Sequence, residues 1–524
     1  MHPFALQADH VGFHLPGRTE PLFDDISLTL PHAPHALVGR NGVGKSVLAR
    51  LLTGDLAPSR GTISRPDRIG YLQQHTASAV GQNIGDFLGV TEKLSALKRL
   101  ETGHANPEDI ITVGDDWTLG EDLADAMTTA ALDFPLDRPI TSLSGGEQTR
   151  LALFRLMREN PDYLILDEPS NHLDQTNRRH LTDQIRAWGK GCLIISHDPD
   201  LLRIVDVIHE LSTLGLNSHG GGYDGYRQQK QVERDAAERA LADAQKQTRQ
   251  AARQHQEALE KQQRRQAQGN RLRRSGSQSK ILLDAQKNRS EASLNHLSIQ
   301  RDRMNAEARS NLTRAEDRLE QVKPQGFIIA KPEQTGGTAI GLNNLVLPHG
   351  TKDPISLTLA IGDRMAVTGG NGQGKTTLLR VILGEAAPLA GQIKRVRSIG
   401  YLDQTGRQFD ATLPALDILR QAHPALTESA LRTKLANIGL RRDKALQPFQ
   451  TLSGGERMKI ALLRLFAGET SPALLLLDEP DNHLDLEARQ LLIDSLNRYR
   501  GAIILVTHSP DLITDVGISM ALKL

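Results

Sequence analysis

The sequence predicts an α/β protein made of two copies of one domain, joined by a helical hairpin. Three observations carry this. A set of short motifs recurs in the same order in both halves of the 524 residues. Apolar segments without alternation, such as HALVG, YLILDE and GCLIIS, alternate with helix-patterned stretches, as parallel strands covered on both faces do. Between the copies lie 97 residues without a single Phe, Trp or Tyr.

The repeat sets the boundaries. GRNGVGKS at 39–46 returns as GGNGQGKT at 369–376, and IGYLQQ at 69–74 as IGYLDQ at 399–404. TSLSGGE at 141–147 matches TLSGGE at 451–456, LILDEPSNHLD at 164–174 matches LLLDEPDNHLD at 475–485, and LIISHDPDL at 193–201 matches ILVTHSPDL at 504–512. The offset is 330 from Lys45 to Lys375 but 309 from Ser144 to Ser453, so the first copy carries 21 extra residues around GHANPEDIITVGDDW. The predicted domains are 1–226, a linker at 227–323, and 324–524.

The totals exclude little. Net charge is +1 and there is one cysteine, Cys192, which rules out an intramolecular disulfide and fits a reducing compartment. Its setting, GCLIIS, reads as a buried strand. The N-terminus lacks a basic region followed by an apolar stretch, and no apolar run approaches the ~18 residues of a membrane span. A cytoplasmic protein is the expectation.

Each motif has a chemical reading. GxxxxGK[S/T] between a strand and a helix is the phosphate loop. Gly39, Asn41, Gly42 and Gly44, with Gly369, Asn371, Gly372 and Gly374 in the second copy, turn backbone N–H groups toward phosphate oxygens. Lys45 and Lys375 reach the β- and γ-phosphates of ATP, and Ser46 and Thr376 offer a hydroxyl to Mg2+. Two carboxylates end the strand YLILDE and its copy. Asp167 and Asp478 suit Mg2+, and Glu168 and Glu479 suit orientation of an attacking water. Gln74 and Gln404 either ligate Mg2+ or sense the γ-phosphate, while His197 and His508 contact the γ-phosphate and the water. Ser144, Gly145 and Gly146, and likewise Ser453, Gly454 and Gly455, open a helix and form a second phosphate-binding half-site in each domain.

These motifs in this order resemble the ATP-binding cassette superfamily. The resemblance implies two ABC-type domains of the P-loop NTPase fold. It also implies composite sites, with Lys45 facing Ser453 and Gly455 across one nucleotide and Lys375 facing Ser144 and Gly146 across the other. Family members stack an aromatic on adenine ahead of the phosphate loop; Phe13, 26 residues before Gly39, is the ring at that place. In the second copy His349 is the only flat ring between Phe327 and the loop.

The linker differs in kind. Residues 227–323 hold 22 Lys+Arg against 13 Asp+Glu, so this +9 segment leaves about −8 for the rest of a +1 chain. Apolar positions at three- and four-residue steps (Leu241, Ala244, Thr248, Ala251; Leu312, Ala315, Leu319, Val322) predict two helices packed as an antiparallel hairpin. Its centre, 261–289, has nine basic residues and one acidic. Gly269, Gly276 and three serines predict a turn there. By composition alone the hairpin is either a site for nucleic-acid phosphates or a solvated spacer.

Tandem cassettes, Asn-His-Leu-Asp after both Asp-Glu-Pro motifs and a charged helical linker together resemble the ABC-F family. That resemblance implies a ribosome-associated ATPase, monomeric with its own cassettes paired, whose linker approaches rRNA and the P-site tRNA. Arg264, Arg265, Arg271, Arg273, Arg274 and Lys280 are then the RNA contacts. The 21-residue insert sits where some members carry a ribosome-touching arm, but Glu108, Asp109, Asp115 and Asp116 argue against RNA binding here. The rival expectations are an ATPase subunit of a membrane transporter and a DNA-associated ABC ATPase.

Overall fold

The computed structural model describes residues 6–15, 17, 21–73, 81–171, 173–212, 215–274, 303, 306–307, 310–315, 329–370, 372–403, 409–440, 442–482 and 484–524. Two compact units result, one of 1–226 with 326–524 and one of 227–325.

The first cassette contains β1 (Leu6–His14), β2 (Pro21–Leu30), β3 (Pro34–Val38), β4 (Arg60–Ser64), β5 (Ile69–Leu72), β6 (Tyr163–Asp167), β7 (Gly191–Ile195), β8 (Val207–Ser212) and β9 (Gly215–Gly220). A three-stranded antiparallel sheet has the order β2-β1-β4. β2 turns Phe23, Ile26, Leu28 and Leu30 inward, as a strand with one wet face must. The second sheet runs β5-β6-β7-β3-β8-β9, parallel except for the β8–β9 pair. Every residue of β6 and β7 is buried, which is why these strands show no alternation in sequence. Cys192 is among them, and burial pushes its thiol pKa up, so it is a packing residue.

The second cassette repeats the plan with β10 (Thr338–Val346), β11 (Ile355–Ala360), β12 (Arg364–Thr368), β13 (Ala390–Arg395), β14 (Ile399–Leu402), β15 (Leu474–Asp478), β16 (Ala502–Val506) and β17 (Met520–Lys523). Its sheets are β11-β10-β13 and the parallel β14-β15-β16-β12-β17. In both cassettes the phosphate loop, the Asp-Glu pair and the histidine follow neighbouring parallel strands, so one edge of each sheet collects the chemistry.

The extra residues of cassette one fold as the helix Pro107–Val113 and the turn after it, ahead of the helix Leu119–Thr129. Arg99 Nε donates to Asp109 Oδ1 at 3.1 Å, and Lys93 pairs with Asp116. Two of the four predicted acidic residues are thereby tied to bases of their own domain.

The helix Gly222–Arg274, which begins in the first unit and lies mostly in the second, runs for 53 residues. It passes straight through Gly269, so the expectation of a turn at that residue is wrong. Arg265, Gln266, Ala267, Gln268, Arg271 and Leu272 surround it, and their helix propensity outweighs the ~1 kcal/mol that one glycine costs. Gly276, the three serines and the apolar positions Leu319 and Val322 lie outside the described residues. Helix returns at 310–315, which includes Leu312 and Ala315.

Candidate composite nucleotide sites

The phosphate loops have the backbone their glycines permit. Gly44 (φ 109) and Gly374 (φ 100) stand in the left-handed region immediately before the helices Lys45–Thr53 and Lys375–Leu383. A side chain at Gly39 would be impossible, because its Cβ would fall 2.3 Å from the Leu211 carbonyl oxygen. Lys45 Nζ donates to the Gly39 carbonyl at 2.7 Å and Lys375 Nζ to that of Gly369 at 3.0 Å, which holds both ammonium groups over their loops. Burial lowers both lysine pKa values, opposed by the nearby carboxylates.

Asp167 and Asp478 are buried at the ends of β6 and β15 and are hydrogen-bonded by the hydroxyls of Ser46 and Thr376. Burial raises both carboxyl pKa values. One carboxylate beside one hydroxyl fits Mg2+, which keeps several waters and takes its remaining oxygens from phosphates. Tyr71 also bonds Asp167, a contact the sequence reading missed although Tyr-Leu is part of the repeated IGYL block. Gln74, Gln404 and Asn371 lie outside the described residues.

The next residues are strained. Glu168 (φ 51) and Glu479 (φ 47) both adopt the left-handed conformation rare for a side chain of this size. Their amides are fixed by the carbonyls of Ile195 (2.8 Å) and Val506 (2.9 Å), the strand ends that lead to the histidines. His197 Nε2 is 3.7 Å from Glu168 Oε1, and His508 Nε2 is 3.5 Å from Glu479 Oε1. Burial drives the His197 pKa well below its ordinary value, so the ring is neutral, and neither ring nitrogen has a hydrogen-bond partner among the described residues. Buried polar atoms of this kind fit a polar ligand.

The signature serines cap helices. Ser144 and Ser453 each form a capping box with Glu147 and Glu456 at the starts of the helices Gly145–Arg158 and Gly454–Phe466. A cleft of about 1320 Å³ brings one of these ends to the opposite phosphate loop. Asn41, Gly42, Gly44, Lys45, Ser46, Asp167, Glu168 and His197 line it from cassette one, and Ser453 and Gly454 from cassette two. Gly455 is not on this wall; it is buried against Asp485 and Ala488.

Sequence reasoning missed what joins the cassettes. Asp485, the last residue of the repeated NHLD, accepts from the Asn41 amide at 3.0 Å while capping its own helix through the Ala488 amide at 2.9 Å. Arg40 pairs with Glu487 at 2.8 Å, and Arg203 with Asp511 at 2.8 Å. In the mirror position Asp174 acts electrostatically on Lys375. The doubled NHLD was the available signal, since a motif with no catalytic use demands another purpose.

Phe13 is a correction. It is 8% exposed in the core, 6.3 Å from Phe23 by ring centroids, and does not line the cleft. β1 must bury one face, and that face takes Phe13; the apolar residues at the cleft are Leu15 and Leu22. His349 is exposed, with its carbonyl against Gly374.

Among the basic linker residues, Arg264 is exposed on the helix Gly222–Arg274. Arg265, Arg271, Arg273 and Arg274 lie on the same helix with side chains outside the described set, and Lys280 is outside it altogether. No described helix is long and apolar enough to cross a membrane.

A family model described as "ABC transporter" matches residues 23–171 and 352–482. The chain is 29% identical over 527 residues to the uncharacterized ABC transporter ATP-binding protein YfmM of Bacillus subtilis, covering 94% of each. It is 30% identical to the tylosin resistance ATP-binding protein TlrC of Streptomyces fradiae, covering 93% of this chain and 92% of that one. The ribosome protection protein VmlR of Bacillus subtilis is 28% identical, with coverage of 90% and 78%. Among solved structures, the archaeal ribosome recycling factor aABCE1 superposes with a TM-score of 0.56 at 18% identity, over 98% of this chain and 87% of that one, which shows the shared fold. With two matched cassettes, full-length relatives and paired phosphate loops, the chain belongs to the ABC-F family of ATP-binding cassette proteins and is an ATPase.

Proposed function

We propose that this chain is an ATP-gated factor acting on the ribosome, with its basic hairpin set against rRNA and P-site tRNA. The observation that carries the reading is the pairing of two intact cassettes with a linker of net charge +9 in 97 residues that holds no aromatic. A basic surface without stacking rings favours the backbone of structured RNA over single strands. The names of TlrC and VmlR, resistance and ribosome protection, point the same way for relatives that align along 93% and 90% of the chain.

In this account ATP lies in each composite site, its phosphates over Lys45 or Lys375 and its γ-phosphate toward the signature serine of the other cassette. Ser46 with Asp167, and Thr376 with Asp478, would hold Mg2+, which neutralises charge on the phosphates. Glu168 and Glu479 orient the attacking water, and the neutral imidazole of His197 bonds the γ-phosphate. Catalysis is positioning and charge stabilisation, without a covalent intermediate. Two bound nucleotides favour the closed arrangement because they contact both cassettes only there. Hydrolysis removes that bias and releases the hairpin from its site. The chain acts as a monomer in the cytoplasm, pairing its own cassettes.

The test is co-sedimentation of a Glu168→Gln, Glu479→Gln variant with ribosomes, with ATP and without nucleotide. ATP-dependent capture that is lost when Arg264, Arg265, Arg271, Arg273, Arg274 and Lys280 become alanine is the expected result. Capture that ignores nucleotide, or association with duplex DNA or a detergent-solubilised membrane partner in its place, would overturn the reading.

A further inference from the structure

Between the two hydrolytic strand ends lies a charged cluster that the motif chemistry leaves unused. Asp481 follows Glu479 by two positions, where cassette one has Ser170. The Thr507 hydroxyl donates to Asp481 Oδ1 at 3.1 Å, and Thr507 immediately precedes His508. Its oxygen also accepts from the Ser509 amide at 3.0 Å, and Arg489 Nη2 donates to Ser509 Oγ at 3.3 Å. Asp481 therefore ties the segment bearing Glu479 to the turn bearing His508.

The cluster continues across the cassette boundary. Arg178 is the counterpart of Arg489 at the 311-residue offset that relates Asp167 to Asp478. Its Nη1 is 3.7 Å from Asp198 Oδ2, in the turn that follows His197. Burial raises the Asp481 carboxyl pKa, and Arg489 and Arg178 oppose that rise together. Arg178, Asp198, Asp481, Arg489 and Ser509 all line the cleft that holds Lys45 and Glu168. Arg178 thus pairs with Asp198 of its own cassette and, from the same cleft, acts electrostatically on Asp481 of the other, in a setting where low polarity strengthens charge interactions.

We propose that Asp481 is a positioning residue that couples the cassettes: through Arg178 it sets the Asp198 turn, and with it His197, so turnover at the Lys45 site depends on a side chain of cassette two. Cassette one has no equivalent link to return, because Ser170 carries no charge.

The experiment uses the full chain carrying Glu479→Gln, which silences the Lys375 site and leaves Asp481 in place. Steady-state ATP turnover is measured for Asp481→Ser, Arg178→Met and the double variant, with thermal unfolding of each as the folding control. Each single change lowers kcat by roughly tenfold, less than the ~10²-fold that a 1 Å misplacement of catalytic groups costs, with KM held within about twofold. The double variant is no slower than the slower single, since both remove one interaction. Asp481→Asn, which keeps the volume and can still accept from Thr507, behaves like Asp481→Ser and replaces it if that variant does not fold. Unchanged kcat on loss of Asp481, multiplying losses in the double variant, or a raised KM at constant kcat would each overturn the proposal.

Discussion

The same Asp-Glu step at a strand end meets different surroundings in the two cassettes. Glu168 is enclosed, and burial together with Asp167 and Asp198 pushes its pKa up to about 8 against the pull of Lys45 and the His197 amide. Glu479 is only partly buried, and the His508 ring, Lys375 and the Asn482 side chain outweigh that burial and hold it below its ordinary value. Asn482 Nδ2 donates to Glu479 Oε2 at 2.7 Å, whereas among the described residues Asn171 makes no side-chain bond to Glu168. Identical motifs thus place one carboxyl poised to stay protonated near neutrality and one held ionised. A motif fixes where a group stands, and the groups facing it fix its charge.

The largest expected effect tests whether these two carboxylates carry the chemistry at all. ATP turnover of the Glu168→Gln, Glu479→Gln variant falls by roughly 10²–10⁴-fold with ATP binding retained, as loss of water activation requires. Turnover near wild type would move the catalytic role elsewhere.

The single variants sharpen the comparison through pH. Below its pKa the ionised fraction of Glu168 falls about tenfold per unit, so kcat/KM of the Glu479→Gln chain, which reports the nucleotide-free enzyme, rises with pH toward about 8. The kcat/KM of the Glu168→Gln chain, which relies on the depressed Glu479, is level over the same range. Parallel pH profiles would erase the distinction.

A smaller effect appears in stability of the nucleotide-free protein. The folded pKa of Glu168 is above its unfolded value near 4.5, so ionising it costs stability as pH rises from there to about 8. Glu168→Gln removes the cost and raises the melting temperature by roughly a few degrees at pH 8, with the gain fading toward pH 5. The folded pKa of Glu479 is depressed, so its contribution is present above the unfolded value and lost as pH falls through the folded one. Glu479→Gln therefore lowers the melting temperature at pH 8. Shifts of the same sign in calorimetry would contradict the assignment.

The smallest effect concerns Phe13. As a core residue it can become leucine for about 1 kcal/mol of stability with no change in KM for ATP. A several-fold rise in KM would return it to the nucleotide.

Much of this was legible in the sequence because repeated motifs fix elements and their order. Unalternated runs gave β6 and β15, and the phosphate loops fell between the expected strands and helices. The Phe13 ring was misjudged because spacing along a strand does not say which face the strand buries. Gly269 was misjudged because a lone glycine signals a turn only where its neighbours do not hold a helix. Asp485 went unnoticed because its partner Asn41 lies in the other cassette, 444 residues away. Contacts of that kind arise only from the fold.

The claim that each nucleotide is shared between cassettes is tested most directly by counting bound ATP in the Glu168→Gln, Glu479→Gln background by equilibrium dialysis. Two ATP per chain are expected, one after Lys45→Ala or Ser453→Glu, and still one when these are combined, because both strike the same site. Lys45→Ala with Ser144→Glu leaves none. If Lys45→Ala with Ser453→Glu leaves none while Lys45→Ala with Ser144→Glu leaves one, each cassette holds its own nucleotide and the composite sites are wrong.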